Sequence, residues 1–465
     1  MIRTYKEAVR FLEKYIPSPA ERHPGKLGLW RMRYLVNLLN NPQKNFKSVH
    51  VGGTSGKGST AAITASILAG KYKTGLHTSP HLERVTERIA ILGSRKQKAR
   101  QKNGQAGNKN ISEKNLISTV NEVRPAIEIM EKSKIGAPSY FEIITALAFT
   151  YFKKENVDIA VIEVGMGGKF DATNIIKPMV SVITNVGLDH TEVLGNSVLD
   201  IARDKAGIIK SGIPVVTGVK QKSVVKIIES RSKNCARRAD KQQARISLSG
   251  RDFKYAINKI TDEGSNFDYR GGKKYKNLFI PLLGRHQVEN SAVAIRTVEE
   301  LSESGFSLKD SDIRLGLKNA SISARLEKVS DKPRIYLDGA HNPDKMEALV
   351  ETVKTIWPGK KMILVLAIKK GKELKRMLNL ILPVTRKIIL TEYKILMDQG
   401  IILSYKPGEI EKAIRRTGYQ GEVKIEVSIK KALKEAIFSA KKEDIIFVTG
   451  SLYLTGLIKS NIHFN

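Results

Sequence analysis

One cysteine, Cys235, stands among 465 residues. That excludes an internal disulfide framework and a four-cysteine zinc site, and it makes a reduced, cytoplasmic setting the expectation. No apolar run approaches the roughly 18 residues of a membrane span. The opening segment MIRTYKEAVRFLEKYI interrupts its apolar residues with Glu7 and Glu13 at helical spacing. An amphipathic surface helix fits it, whereas a signal peptide needs an unbroken apolar centre. Acidic residues are also scarce: 46 Asp and Glu face 80 Lys and Arg, a formal net charge of +34.

Such a field draws phosphates, nucleic acids or anionic surfaces. A nucleic-acid-binding protein and an enzyme of anionic substrates are the two readings. The basic residues are spread along the whole chain, which favours the enzyme and no nucleic-acid partner. Two clusters stand out, residues 94–110 (SRKQKARQKNGQAGNKN) and 231–245 (RSKNCARRADKQQAR). Neither interleaves aromatics with its charges as a base-stacking platform does. Both read as solvated loops, the first as a basic insertion.

What is present is a full complement of core material. Hydrophobic residues make up 41%, and the length predicts two or three domains. Strand-like runs (46–52, 74–78, 158–164, 179–185, 213–217) alternate with helix-like ones such as 140–153 and 198–210. This predicts a mostly parallel sheet covered on both faces. From 247 to 281 short alternating runs predict antiparallel hairpins. A second alternation begins at 334, with strands at 334–337, 362–367, 387–391, 423–427 and 444–449. The fold class expected is therefore α/β, with two doubly wound domains: an N-terminal P-loop ATPase-like domain over 1–320 and a smaller Rossmann-like domain over 334–465. Residues 321–333 read as the linker.

The densest chemistry lies at His50-Val51-Gly52-Gly53-Thr54-Ser55-Gly56-Lys57-Gly58-Ser59-Thr60. Strand, glycine loop and helix start is the layout that cradles a nucleoside triphosphate, because successive N–H groups and the helix N-terminus face one concavity. Lys57 can reach terminal phosphates, and Ser59 or Thr60 can ligate accompanying magnesium. The spelling departs from G-x-x-x-x-G-K-[ST], since Gly58 separates Lys57 from Ser59, so a chance glycine turn is the alternative. Ligands of open parallel sheets gather at the carboxyl ends of strands. Glu163 ends a buried run, where an acid is costly unless paired or bound to a cation. It reads as a magnesium ligand or as an ion-paired structural acid; a dinucleotide fingerprint fails for want of the third glycine. His190 follows another strand and is a metal or phosphate candidate, or an ordinary loop histidine. Lys205 lies on the next helix, and Ser79 follows the strand at 74–78. Asp338 and His341, in DGAHNP, and Ser451, in GSLY, hold the same position in the second domain. Two crevices of this kind describe a ligase or kinase that closes on its substrate.

Together these strings resemble the folylpolyglutamate synthase/dihydrofolate synthase family of the Mur-ligase superfamily. The resemblance runs from about Gly28 to Gly456 and covers GTSGKGST, TSPHL…TERI, FEIITALAF, EVGMGGKFDATN, LDHTEVLG, RDKAGIIK, LGRHQVEN, DGAHNP and GSLY. Cell-wall Mur ligases share the loop but not DATN with DGAHNP and GSLY in this form. The resemblance implies an ATP-dependent amide ligase that adds L-glutamate to a folate or dihydropteroate carboxylate through an acyl phosphate. It implies ATP contacts at Gly53, Thr54, Ser55, Gly56, Lys57, Gly58, Ser59, Thr60, Asn290, Arg325, Asp338 and His341. Ser59, Ser79, Glu163 and His190 would hold magnesium. Lys57, Lys205, His190, Asp338 and His341 would act in catalysis, Lys205 as a carbamate. Pro80, His81, Arg88 and Ser451 would meet the substrates, and the chain would be a monomer. The family loop usually has Asn where Ser55 stands and Glu where Asp204 stands. Near Lys370 the chain lacks an acid that the family often carries. The basic insertion is extra.

Overall fold

The structure is a computed structural model that describes residues 1–18, 25–93, 109–237, 243–398 and 400–461. The chain divides into two compact units. One comprises Met1–Asn258, Asn266–Pro281 and Gln287–Ala320; the other comprises Lys259–Ser265, Leu282–His286 and Ser321–Asn465.

In the first unit eight strands form one sheet: β1 (Lys47–Gly52), β2 (Thr74–His77), β3 (Ile89–Leu92), β4 (Lys109–Asn110), β5 (Ile159–Glu163), β6 (Val180–Ile183), β7 (Val215–Thr217) and β8 (Ile246–Leu248). Their order is β4-β3-β2-β5-β1-β6-β7-β8. The six strands from β2 to β8 in that order are parallel; β3 and β4 run antiparallel at one edge. β1, β2, β5 and β6 are buried along almost their whole length because helices cover both faces of the sheet. The helix Tyr140–Lys154 shows how local and tertiary demands agree. Ser139 caps it, and Glu142 returns the bond to Ser139 N–H at 2.9 Å. Glu142 also takes two bonds from Arg31, at 3.1 and 3.2 Å, so the buried acid is paired. Phe149 and Phe152 of this helix pack on Phe46 with ring centroids 5.9 and 5.7 Å apart.

β9 (Lys254–Ile260), β10 (Ser265–Arg270) and β11 (Lys274–Ile280) make the antiparallel three-stranded sheet expected over 247–281. The basic segment at 94–110 falls outside the described residues except at its end. There Lys109 and Asn110 are not loop: they pair with Ile91 and Ala90. The cluster at 231–245 is likewise less loop-like than its charge suggests. Residues to Arg237 continue the helix Lys222–Arg237, whose apolar face packs on the unit's core.

The second unit holds β12 (Glu327–Asp331), β13 (Arg334–Leu337), β14 (Met362–Leu366), β15 (Thr385–Leu390), the hairpin β16 (Lys394–Met397) and β17 (Gly400–Leu403), β18 (Glu422–Ile425) and β19 (Ile445–Thr449). Six of them form a sheet ordered β12-β13-β19-β14-β15-β18, parallel except for β12. The segment read as linker therefore contains a strand. EKVSD shows little apolar content because β12 is a half-exposed edge, paired on one side only. Tyr336, Trp357 and Phe447 meet at centroid distances of 5.0–5.8 Å in this unit's core.

Candidate active site

β1 and β5 run side by side, with Val51 opposite Glu163, so the glycine loop and the carboxylate leave the same end of the sheet. The loop feeds the helix Lys57–Leu68, whose N-cap, Gly56, offers no side-chain cap. The cap residue therefore supplies no side-chain acceptor to the first-turn N–H groups, which suits an anion site. Two glycines are required here. Gly53 has φ +142°, and a β-carbon on it would lie 2.0 Å from Thr184 Oγ1; Gly56 has φ +78°, and one there would lie 2.4 Å from Asn290 Oδ1.

Thr54 and Ser55 shape the loop from within. Thr54 N–H donates to Asn185 O at 2.9 Å and Ser55 N–H to Asn185 Oδ1 at 2.7 Å. Thr184 Oγ1 donates to Ser55 O at 2.7 Å. Those N–H groups are spent on the protein, and Thr184 and Asn185 are partners that motif spacing passes over. Their signal was the T-N pair just after β6. Asn290 arrives from the helix Arg285–Ser302 and accepts a bond from Thr60 Oγ1 at 3.4 Å. Ser59 and Thr60 are buried in the first turn, and Lys57 Nζ stands 3.5 Å from Thr54 O.

Lys205, 4% exposed, donates to Gly53 O at 2.8 Å. Burial, with the Lys57 ammonium beside it, lowers its amine to about 7, against the opposing pull of Asp204, Asp189 and Asp171. Part of it is thus a neutral amine at neutral pH, the form that can react with carbon dioxide. Asp204, the shorter acid, keeps Oδ1 buried with no hydrogen-bond partner among the described residues, and burial raises its carboxyl.

Glu163 accepts a bond from Ser79 N–H at 3.0 Å. A β-carbon at Gly58 would stand 3.4 Å from both Glu163 oxygens, so the carboxylate looks directly onto the helix start. Carboxylate and hydroxyl oxygens beside a phosphate cradle fit a hard divalent cation. Among the described residues no three His, Cys, Asp or Glu groups converge as a metal cage. Few protein ligands plus phosphate oxygens is magnesium's usual arrangement. His190 lies at φ +53°, before the turn Thr191–Leu194, with Nδ1 3.8 Å from Glu192 Oε1.

The segment from Ser79 to Arg88 is braced internally. The Glu87 carboxylate accepts N–H bonds from Leu82, Glu83 and Arg84 at 2.7–2.9 Å. Pro80 is exposed. Arg88, expected to meet substrate, is fully buried. Its Nε donates to His81 Nδ1 at 2.8 Å, and its guanidinium lies over the Tyr140 ring. An arginine always donates, so His81 Nδ1 is the acceptor. Burial and that guanidinium push His81 down to about 3.

Arg325, Asp338, His341 and Ser451 belong to the second unit and form a group of their own at the ends of β13 and β19. Asp338 accepts Leu326 N–H at 3.0 Å and Ala340 N–H at 2.8 Å; burial raises its carboxyl, while Arg325 and these N–H groups pull the other way. Ala324 and Leu326, on either side of Arg325, both have positive φ, 54° and 49°. Non-glycine residues rarely accept this without a functional reason. His341 Nδ1 faces Gly339 O at 2.8 Å, so it carries the proton, and Nε2 is left to accept from Lys345 Nζ at 3.0 Å. Ser451 is 1% exposed, and its hydroxyl oxygen accepts from Tyr393 Oη at 2.8 Å and Tyr453 N–H at 3.1 Å. Those bonds hold the turn after β19. Lys345 and Tyr393 carried no sequence signal, because nothing in the motif spacing points to them.

Known families agree with this geometry. The Mur ligase middle domain matches residues 51–298, and the dihydrofolate synthetase C-terminal domain matches 322–460. The dihydrofolate synthase/folylpolyglutamate synthase of Bacillus subtilis (strain 168) is 32% identical over 443 residues, 94% of this chain and 95% of that protein. The crystal structure of folylpolyglutamate synthase from Thermotoga maritima superposes with a TM-score of 0.80 at 30% identity, covering 98% of this chain and 96% of that one. The Mycobacterium tuberculosis folylpolyglutamate synthase complexed with ADP gives 0.84 at 26% identity, covering 98% and 97%. The class is thus an ATP-dependent ligase of the Mur type. Within it, the chain belongs to the folylpolyglutamate synthase/dihydrofolate synthase family.

Proposed function

We propose that this chain joins L-glutamate to the carboxylate of a folate or dihydropteroate at the expense of ATP, as a cytoplasmic monomer. The observation that carries the reading is the uncapped helix start with Lys57, Ser59 and Glu163 gathered around it, in a chain of this family. The acceptor carboxylate attacks the terminal phosphorus, the bond to ADP breaks, and an acyl phosphate forms. The glutamate amine, having lost a proton, then attacks the acyl carbon, and inorganic phosphate leaves.

A carboxylate and a triphosphate repel each other. Lys57 and the first-turn N–H groups screen that repulsion where charge develops. Asn290 and Thr60 fix the helix start, and Lys205 holds the loop at Gly53 O. Magnesium, held by Ser59, Ser79, Glu163 and His190, would neutralise phosphate charge. Arg325, Asp338 and His341 serve the nucleotide and the incoming glutamate. Pro80 and His81 take the acceptor, with Arg88 bracing their loop from inside, and Ser451 shapes the glutamate pocket through its turn. The ADP complex of the M. tuberculosis relative supports the nucleotide assignment.

The test is product mass after incubation with ATP and L-glutamate, with dihydropteroate, tetrahydrofolate or a UDP-muramyl acceptor supplied singly. A glutamate added to either pterin supports the reading; addition only to the muramyl acceptor replaces it with a cell-wall type of ligase. Lys57→Ala is expected to abolish turnover in a folded protein. Near-normal activity would remove the phosphate-loop assignment.

A further inference from the structure

His341 and Lys345 stand four residues apart where the helix Pro343–Ile356 begins, in the second unit. Both are half-buried, whereas Asn342 beside them and Ser451 after β19 are buried. The His341 ring is held at both nitrogens. Nδ1–H donates to Gly339 O at 2.8 Å, and Nε2 accepts from Lys345 Nζ at 3.0 Å. Both anchors are themselves fixed at the backbone. A β-carbon on Gly339 would stand 2.2 Å from Leu452 Cδ2 and 2.7 Å from Arg325 Nη1, and the Gly339 N–H donates to Ala324 O at 2.9 Å. Lys345 lies in the first helical turn, where its N–H donates to the capping Asn342 Oδ1 at 3.0 Å.

A lysine ammonium has protons to give and no lone pair, so Nε2 is the acceptor and the ring is neutral. Its bare nitrogen faces an ammonium, and a neutral imidazole placed so is a general base for one. A cation in the first turn of a helix opposes the macrodipole, so the helix itself does not ask for a lysine here. The pair stands at the carboxyl end of β13, where parallel sheets gather their ligands. L-Glutamate brings an ammonium, the same group that covers Nε2, and that ammonium must lose a proton before its nitrogen can attack. It also brings carboxylates, which suit a lysine that has let go of the ring.

We propose that Lys345 is a positioning residue for the amine step: it holds His341 with the proton on Nδ1 and the Nε2 lone pair aimed at an ammonium, and the ammonium of the incoming amino acid takes the place of Lys345 Nζ. An N–H bond of that ammonium breaks and an N–H bond forms at Nε2. The electron pair stays on the amine nitrogen, which attacks the acyl carbon, and inorganic phosphate leaves. The imidazolium, still bonded to Gly339 O, returns its proton to water. Lys345, displaced, meets a carboxylate of the amino acid. The proposal rests on the reading of the chain as a glutamate ligase and names what serves its second half-reaction.

Two measurements test it. Hydroxylamine is already unprotonated at neutral pH, so it traps an acyl phosphate as a hydroxamate without a base. With ATP, the acceptor and either L-glutamate or hydroxylamine, Lys345→Met is expected to raise the ratio of hydroxamate to glutamyl product at least about tenfold over wild type, the loss of one charge-assisted hydrogen bond. Lys345→Arg keeps a donor and is expected to hold the ratio near that of wild type. An unchanged ratio in folded Lys345→Met would overturn the proposal, because a purely structural role slows both products alike; so would a ratio in Lys345→Arg equal to that of Lys345→Met. The second is nitrogen-15 NMR of the wild-type imidazoles, with the His341 signals assigned by their loss in His341→Gln. A neutral ring with a proton on Nδ1 and none on Nε2 is expected. A proton on Nε2 would overturn the proposal whatever becomes of Lys345→Met. Wild-type protein that forms no glutamyl product would instead strike the ligase reading, and the proposal would fall with it.

Discussion

Gly53 is where the cradle has no spare volume, and Gly53→Ala is the perturbation whose outcome the geometry fixes most closely. The added methyl would stand 2.0 Å from Thr184 Oγ1, 3.1 Å from Thr184 N and 3.2 Å from Asn185 N. Ordinary contacts need about 3.5 Å. The residue would also have to hold φ +142°, a strain of about 1–3 kcal/mol for a residue with a β-carbon. If Thr184 rotates away, its hydroxyl bond to Ser55 O at 2.7 Å is lost, about 0.5–1.5 kcal/mol net. The cheaper response is for the loop to move, which releases Lys205 from Gly53 O and re-aims the helix start. A penalty of about 2–4 kcal/mol follows, so the Kd for ATP is expected to rise roughly 30- to 1,000-fold. The assay is calorimetric titration of nucleotide, with far-UV circular dichroism confirming the fold. Gly53→Ala combined with Thr184→Ala removes the 2.0 Å overlap but not the two backbone contacts. It should recover part of the affinity and no more, a non-additive cycle. Wild-type affinity in Gly53→Ala, or full recovery in the pair, would refute the reasoning.

Three further outcomes are expected. Asn290→Ala removes the acceptor of Thr60 Oγ1 and should weaken ATP binding about tenfold, read in the same titration; an unchanged Kd would free the 285–302 helix from the site. Glu163→Gln can still accept from Ser79 N–H but loses the charge, so turnover should fall by at least about a hundredfold and the magnesium concentration for half-activity should rise; a normal magnesium response would move the cation elsewhere. Lys205 is held at about 7, below the 10.5 of free lysine. Between those values the unfolded chain binds a proton that the folded chain lacks, so this group's penalty is fully present below pH 7 and vanishes above pH 10.5. Lys205→Met should therefore abolish activity yet stabilise the protein at pH 6 by a few kcal/mol, since each tenfold loss of proton affinity is worth about 1.4 kcal/mol, and by little near pH 10. Denaturant unfolding at both values would show it, and a gain independent of pH would contradict the sign.

The parallel strands were legible because burial on both faces leaves long apolar runs, and their ends located Glu163, Asp338 and the glycine loop. The edges were not. β4 and β12 are short or half-exposed, and their polar sequences, Lys109–Asn110 and EKVSD, look like loop and linker until a neighbour pairs with them. Charge misled in the same way at Arg231–Arg237, where a basic surface hid a helix packed on its apolar face. In the site, motif spacing reveals residues that meet ligand from a strand end. It does not reveal the side chains that brace them: Asn185 under the loop, Tyr393 on Ser451 and Lys345 on His341. Arg88 shows the converse. Its position in a substrate loop suggested contact, but the structure spends it inside, on His81 and Tyr140.

We propose that an acceptor carboxylate, not water, attacks the terminal phosphorus of ATP. Acceptor labelled with oxygen-18 in that carboxylate, turned over with ATP and L-glutamate, tests it directly by mass spectrometry of the released phosphate. One labelled oxygen in each phosphate is the predicted result. Unlabelled phosphate, or phosphate labelled only when the water is, would contradict it.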